Sequence, residues 1–273
     1  MADYIKVSRG RSFLSNIAYV LLNIFLAIVT TVLVIVTDSW VAPCLLIILS
    51  KWRVFAVRPR YWLANVKSNI VDITIGISFV AFIYAVGNDA TTTRFVLTAL
   101  YAIWLLFIKP RSDQKFIDLQ AGLALFMGTA MTAMLFFEPI QFNLFGLTLF
   151  EPDALFLVVL NFIIGYSAAR HVLIAGDENH VGLLSLTHGL IVAEISWVSY
   201  HWLISYNIVR TELAVPQLAI ITTLVSFATL SIYQSYVNRD GQIKRSDIML
   251  PIVFSAALIL IILLIFSEPI WVA

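Results

Sequence analysis

Glu194 is the only Asp, Glu, Lys or Arg in an apolar stretch running from Gly182 to Tyr206. A carboxylate in the hydrocarbon of a bilayer costs on the order of 3 kcal/mol by insertion scales, so such a group has to face protein or water. Thr187, Glu194 and His201 follow one another at seven-residue steps and line one face of a helix. At a rise of about 1.5 Å per residue, Glu194 and His201 stand about 10 Å apart along the axis. That is too far for direct contact, and a water or a group on another helix would have to bridge them. His188, six residues before Glu194, points elsewhere. Asn161 and Asn23 fall at similar depths in other apolar runs, and either is a candidate partner for Glu194.

Two readings follow. In the first, Glu194 is a proton- or cation-binding carboxylate with His201 on the outer approach, and Thr187 and Asn161 complete an intramembrane binding site. In the second, it is a neutral glutamic acid that bonds across helices and fixes their register. A metal site is not expected. Ligands on one helix sit at i and i+3 or i+4, no His/Glu pair here has that spacing, and His-Glu-x-x-His is absent. The single cysteine, Cys44, excludes a disulfide framework or an iron–sulfur centre. The polar turn Asp177–His180 needs no cation to explain it. There is no Walker loop, no Gly-x-Ser-x-Gly elbow, no potassium-filter motif and no arginine series. No catalytic set is assembled, and no cofactor is expected.

The elements that position these residues are set by composition. Of 273 residues, 61% are hydrophobic and 12% charged, far from the soluble average. Lipid has to cover most of that apolar surface. A bilayer core of about 30 Å takes about 20 apolar residues as a helix. Nine such runs are found, at 13–36, 40–57, 69–87, 94–108, 117–137, 153–175, 182–206, 216–237 and 248–267. The expected fold is therefore all-α, a polytopic transmembrane helical bundle in one integral membrane domain spanning 1–273. The second run is short, because Lys51 and Arg53 interrupt it. The first run lacks a cleavage site and reads as a retained helix rather than a signal peptide.

Charge placement gives the orientation. With the N-terminus cytoplasmic and nine crossings, all of the 17 basic residues except Arg94 and Arg210 fall inside, as the positive-inside rule requires. The C-terminus is then outside. If the short second run did not cross, the alternation would fail. Trp40, Trp52, Trp62, Trp202 and Trp271 suit the interfacial belt. The expected location is a cytoplasmic (cell) membrane of bacterial type.

Other segments have simpler readings. Lys51, Arg53, Arg58, Arg60 and Lys67 form a basic segment interleaved with aromatics. It is either an ordinary inside loop or a contact for anionic lipid head groups. The outer loop 138–152 is acidic at its ends and apolar between, so it packs on its own helices or meets a protein partner. Asp72 and Asp118 read as residues near helix N-termini. Ala124, Gly128 and Thr132, and Ser185, Gly189 and Ala193, recur four apart and let helices approach closely. Nucleic acid is not an expected partner. The leading expectation is a small-solute or ion-coupled transporter using Glu194. The alternatives are a non-catalytic scaffold of a membrane complex and a lipid-modifying membrane enzyme.

Overall fold

The computed structural model describes residues 13–51, 58, 62–87, 90–137, 143–144, 147–148, 154–202, 204–208, 213–239 and 241–266. For 13–14, 63–65, 67–68, 135–137, 143–144 and 147–148 only the backbone is described. Among the described residues the regular elements are helices and two short hairpins. The helices are α1 (Phe13–Thr37), α2 (Val41–Ser50), α3 (Trp62–Ala85), α4 (Thr91–Ile103), α5 (Gln114–Phe137), α6 (Ala154–Ala175), α7 (Val181–Tyr200), α8 (Gln217–Val237) and α9 (Arg245–Ile265). Helix α4 continues as a π-helical turn, Trp104–Ile108. The hairpins are β1 (Asn143–Leu144) with β2 (Leu147–Thr148), and β3 (Ser205–Asn207) with β4 (Ala214–Pro216).

Among the described residues, seven helices are long and apolar enough to cross a bilayer; the apolar stretches Val41–Ser50 and Asn69–Ala85 are shorter. The nine expected runs each fall on a helix, with boundaries that differ by more than three residues in three places. Helix α2 stops at Ser50, and residues 52–57 of that run lie outside the described residues. Helix α3 starts at Trp62, seven residues before Asn69. Helix α7 stops at Tyr200, and the expected last turn to Tyr206 is pulled into β3. Pairing with β4 outcompetes the helix there: Gln217 N–H donates to the Ile204 carbonyl at 2.8 Å, and Ile208 N–H to the Leu213 carbonyl at 2.8 Å.

Side-chain bonds gather the C-terminal ends of α2, α6, α8 and the π-helical turn with the early turns of α5 and α9 at one pole. This pole holds Lys51, Lys109, Arg111, Lys115, Arg170, Arg239, Lys244 and Arg245 and is called the basic end below. Cross-helix bonds fix it: His171 to Gln120 at 2.8 Å, Gln234 to Asp118 at 2.9 Å and Arg239 to Asp247 at 2.7 Å. Arg94, at the other pole, is buried and folded back, its Nε donating to the Val86 carbonyl at 2.9 Å beyond the end of α3. It therefore meets a need of the backbone, that of an orphan carbonyl past a helix end.

The tightest packing joins α6 to α7. Their five-residue connection closes α6 with a Schellman motif: Glu178 N–H reaches the Leu173 carbonyl at 3.1 Å and Asp177 N–H the Ile174 carbonyl at 3.3 Å. Asp177 supplies the required left-handed backbone, at φ 56°. Along the hairpin, Gly165 faces Val192 and Gly189 lies against the Phe162 carbonyl. Ser185, Gly189 and Ala193 are all buried on this seam, as are Ala124, Gly128 and Thr132 on α5. The small-residue stripes thus act in packing, as the spacing predicts. Helix α9 is the outlier: it packs on α8 and buries only Ser255.

The same substitution should have opposite signs on two glycines. A Cβ on Gly165 would stand 2.8 Å from Val192 Cβ, whereas a Cβ on Gly122 of α5 meets nothing within 4 Å. Gly165→Ala is expected to destabilise by about 1–3 kcal/mol through overpacking. Gly122→Ala is expected to stabilise by about 0.5–1 kcal/mol through backbone entropy. Thermal unfolding of the detergent-solubilised variants measures both.

Candidate functional site

Helix α7 packs along α6 but touches α8 only sparsely. Near the pole opposite the basic end, Ile195 and Tyr200 of α7 close onto a cluster of Ala133, Leu157 and Leu218. Toward the basic end the two helices separate. The gap is a partly open cavity of about 490 Å³, walled by α5, α6, α7 and α8. That volume is in the range of small-molecule sites. Its walls are mostly apolar, with Ala121, Phe126, Val172, Ile191 and Leu230 among them.

Few polar groups face this space, and each is held. His188 of α7 is 8% exposed, and its Nε2 lies 3.1 Å from Ser226 Oγ of α8. Asp118 of α5 accepts from Gln114 Nε2 and from Gln234 Nε2, both at 2.9 Å. Tyr233 of α8 donates its hydroxyl to Glu178 Oε2 at 3.2 Å, tying α8 to the α6–α7 turn. Thr187 of α7 also lines the cavity, its Oγ1 bonded to the Leu183 carbonyl at 3.0 Å. Thr223, Ser226, Thr229 and Tyr233 repeat every three or four residues on α8 and so share the face that closes the cavity. That polar period was readable in the sequence, and it is the signal that would have found this site.

The residues singled out from the sequence do not converge. Thr187 is at the cavity. Glu194 and His201 share its side of α7, as the spacing requires, but both are exposed and neither lines the cavity. The His201 ring stands 5.7 Å from Trp197 and 5.7 Å from Tyr200, edge-on to both. Neither asparagine pairs with Glu194. Asn161, fully buried, accepts from Thr132 Oγ1 of α5 at 2.7 Å, and its Nδ2 has no partner. Asn23 donates to the Tyr19 carbonyl of its own helix at 2.8 Å. No group of three His, Cys, Asp or Glu able to hold a metal occurs among the described residues.

The basic segment is seen in part. Lys51 is turned inward, with its Nζ on Asp72 Oδ2. Lys109 reaches the same oxygen at 2.9 Å, and Trp104 Nε1 reaches Oδ1 at 3.3 Å. Arg58 is exposed. Arg53 and Arg60 lie outside the described residues, as does the Lys67 side chain, and of the loop 138–152 only β1 and β2 are described. Asp72 is not the residue near a helix start that the sequence suggested. Because α3 begins at Trp62, it sits ten residues in and joins α2, α3 and α4 through its carboxylate. Asp118 does lie one turn inside α5, held by side-chain amides.

Two outcomes test this geometry. Asp72→Asn takes away the carboxylate that Lys51 and Lys109 share, and a loss of about 3 kcal/mol in unfolding stability is expected. The Glu178 carboxyl, outside the spans, is held below its ordinary value, first by the His180 backbone N–H and then by the Tyr233 hydroxyl. A lowered folded value stabilises above the unfolded one, about 4.3, and that contribution is lost as pH falls through the lower, folded value. Melting temperature should therefore drop in acid, by a smaller step in Glu178→Gln. No protein-family model matches the chain, and neither does any curated protein or solved structure, so its function has to be read from its own residues.

Proposed function

We propose that this multi-pass membrane protein binds an amphiphile, a molecule with a long apolar body and one hydrogen-bonding head, and carries it in the cavity between α7 and α8. The observation that supports the reading is the cavity itself. Its volume is about 490 Å³, its walls are apolar, and the hydrogen-bonding pair His188–Ser226 is set into them. A hydroxyl or carbonyl head would exchange bonds with that pair, and Asp118 would favour a donor nearer the basic end. The apolar body would enter from the lipid phase where α7 and α8 separate. We read this as a transport or binding role, in which the His188–Ser226 pair serves as the hydrogen-bonding group for the head.

The wider placement belongs to the same proposal. The chain crosses a cell membrane of bacterial type nine times, α2 and α3 included, with the basic end cytoplasmic and the C-terminus outside. The clustering of Lys and Arg at one pole supports that orientation. Exposed Arg58 and its neighbours would meet anionic head groups there. The ion-coupled reading built on Glu194 is less well supported, because Glu194 and His201 are not part of the cavity wall.

Hexadecanol carrying a diazirine, irradiated with the protein in nanodiscs, tests the reading. Wild type is expected to be labelled on α7 and α8, and excess unlabelled hexadecanol should compete. Gly122→Leu grows into the cavity, since nothing lies within 4 Å of its Cβ, and is expected to abolish the labelling while keeping the melting temperature. His188→Leu should weaken competition by about fivefold, the worth of one hydrogen bond. Equal labelling of wild type and Gly122→Leu would sink the proposal.

A further inference from the structure

Among the described residues two buried hydroxyls have no hydrogen-bond partner, Ser235 Oγ of α8 and Ser255 Oγ of α9. Both belong to the pair of helices in which α9 packs on α8. At the basic end this pair opens into a second, partly open cavity of about 400 Å³. Its walls are polar where those between α7 and α8 are apolar. Ser235, only 6% exposed, lines it, with Asn238 and Arg239 just after α8 and Asp247 and Pro251 of α9. Pro251 has no N–H to give the Asp247 carbonyl four residues earlier, so that carbonyl lacks its helical donor. A buried hydroxyl without a partner and a carbonyl without its donor, at one polar cavity, are groups for a ligand to satisfy.

We infer that this cavity holds the head group of a phospholipid bearing a primary ammonium, with the phosphate on Arg239 and Ser235 and the ammonium on Asp247. The charges select that chemistry. Arg239 Nε donates to Asp247 Oδ2 at 2.7 Å, so a cation and an anion stand side by side on the wall. A ligand with one charge meets one partner and one repulsion there, whereas a ligand with both signs meets two partners. Among the described residues Arg239 bonds through Nε alone, which leaves its terminal amino groups to a phosphate while Asp247 stays in place. The Ser235 hydroxyl adds a donor to the same phosphate. Asp247 accepts from Arg239 on one oxygen and from Ser246 Oγ on the other, and each oxygen keeps a further lone pair for an ammonium. The Asp247 carbonyl offers a third acceptor. Position favours a lipid over a soluble molecule of the same chemistry. The cavity lies at the cationic ends of spanning helices, where head groups are held. Helix α9 buries only Ser255, and Leu250, next to Pro251, is 77% exposed, so acyl chains have an apolar surface beside the head.

Native mass spectrometry of the full chain in detergent, titrated with dioleoyl lipids, reads the outcome. Wild type is expected to bind dioleoylphosphatidylethanolamine about tenfold more tightly than dioleoylphosphatidylcholine, whose methylated head has no N–H to donate, a difference on the order of one charge-assisted hydrogen bond. Asp247→Asn should erase that preference. Arg239→Gln should weaken both lipids about tenfold through the lost phosphate contact. The comparison of lipids on wild type needs no variant, so misfolding of either one leaves it intact. Equal binding of the two lipids by wild type would overturn the inference, as would a preference that survives Asp247→Asn. Tighter binding of dioleoylphosphatidylglycerol would also overturn it, by marking a site for an anion or a polyol. Displacement of the lipid by an equal concentration of soluble phosphoethanolamine would overturn the lipid as the source of the head group. Gly122→Leu, which alters the cavity between α7 and α8 and does not line this one, should leave the preference unchanged, so the result stands apart from the hexadecanol experiment.

Discussion

The close seam between α6 and α7 governs what the other helices can do. Gly165 accepts Val192 and Gly189 accepts the backbone at Phe162, so the two axes come together as they could not over larger side chains. The Schellman turn at Asp177 leaves only five residues between the helices and fixes them antiparallel. Helix α7 is thereby committed to α6. Helix α8 instead packs on α5 and approaches α7 mainly at one pole, through the cluster of Ala133, Leu157 and Leu218. The cavity is the space left when α7 packs along α6 on one side and on the other packs on α8 mainly at one end, with the His188–Ser226 and Tyr233–Glu178 bonds spanning the rest.

Polar groups inside the bundle follow the rule that every donor needs an acceptor where water is absent. Most serines and threonines return their hydroxyls to a carbonyl four residues back, as Thr30, Ser78, Thr129 and Ser196 do. Gln120 does more: its amide donates to the Ile108 and Arg111 carbonyls past the π-helical turn, and its oxygen meets His171. Asp72 joins three helices in the same way. Against this background Asn161 Nδ2 and the hydroxyls of Ser235 and Ser255 stand out as buried and unpartnered.

His188 and Glu194 illustrate how one helix can serve two surfaces. Six residues apart, they face different ways: His188 into the cavity, bonded to Ser226, and Glu194 outward among apolar side chains. The seam with α6 takes a third strip, through Ser185, Gly189 and Ala193. Beyond Ser255, by contrast, α9 is apolar through to Ile265.

By itself the sequence determined the helical, membrane-covered class, because runs of apolar residues this long leave the backbone no option but internal hydrogen bonds. It also determined which faces of α5 and α7 permit close approach, since small residues at a four-residue spacing act locally on one face. The shared face of Thr187, Glu194 and His201 followed from helical period alone. The tertiary structure decided what lay across from each face. Asn161 found Thr132 rather than Glu194, Asp72 found two lysines from other helices, and the end of the seventh run left the helix to pair with β4. Each of those outcomes depends on contacts between segments far apart in the chain, and periodicity within one segment carries no information about its neighbours. The same holds for the cavity, whose polar residues were visible on α8 but whose existence depends on how far α7 stands from it.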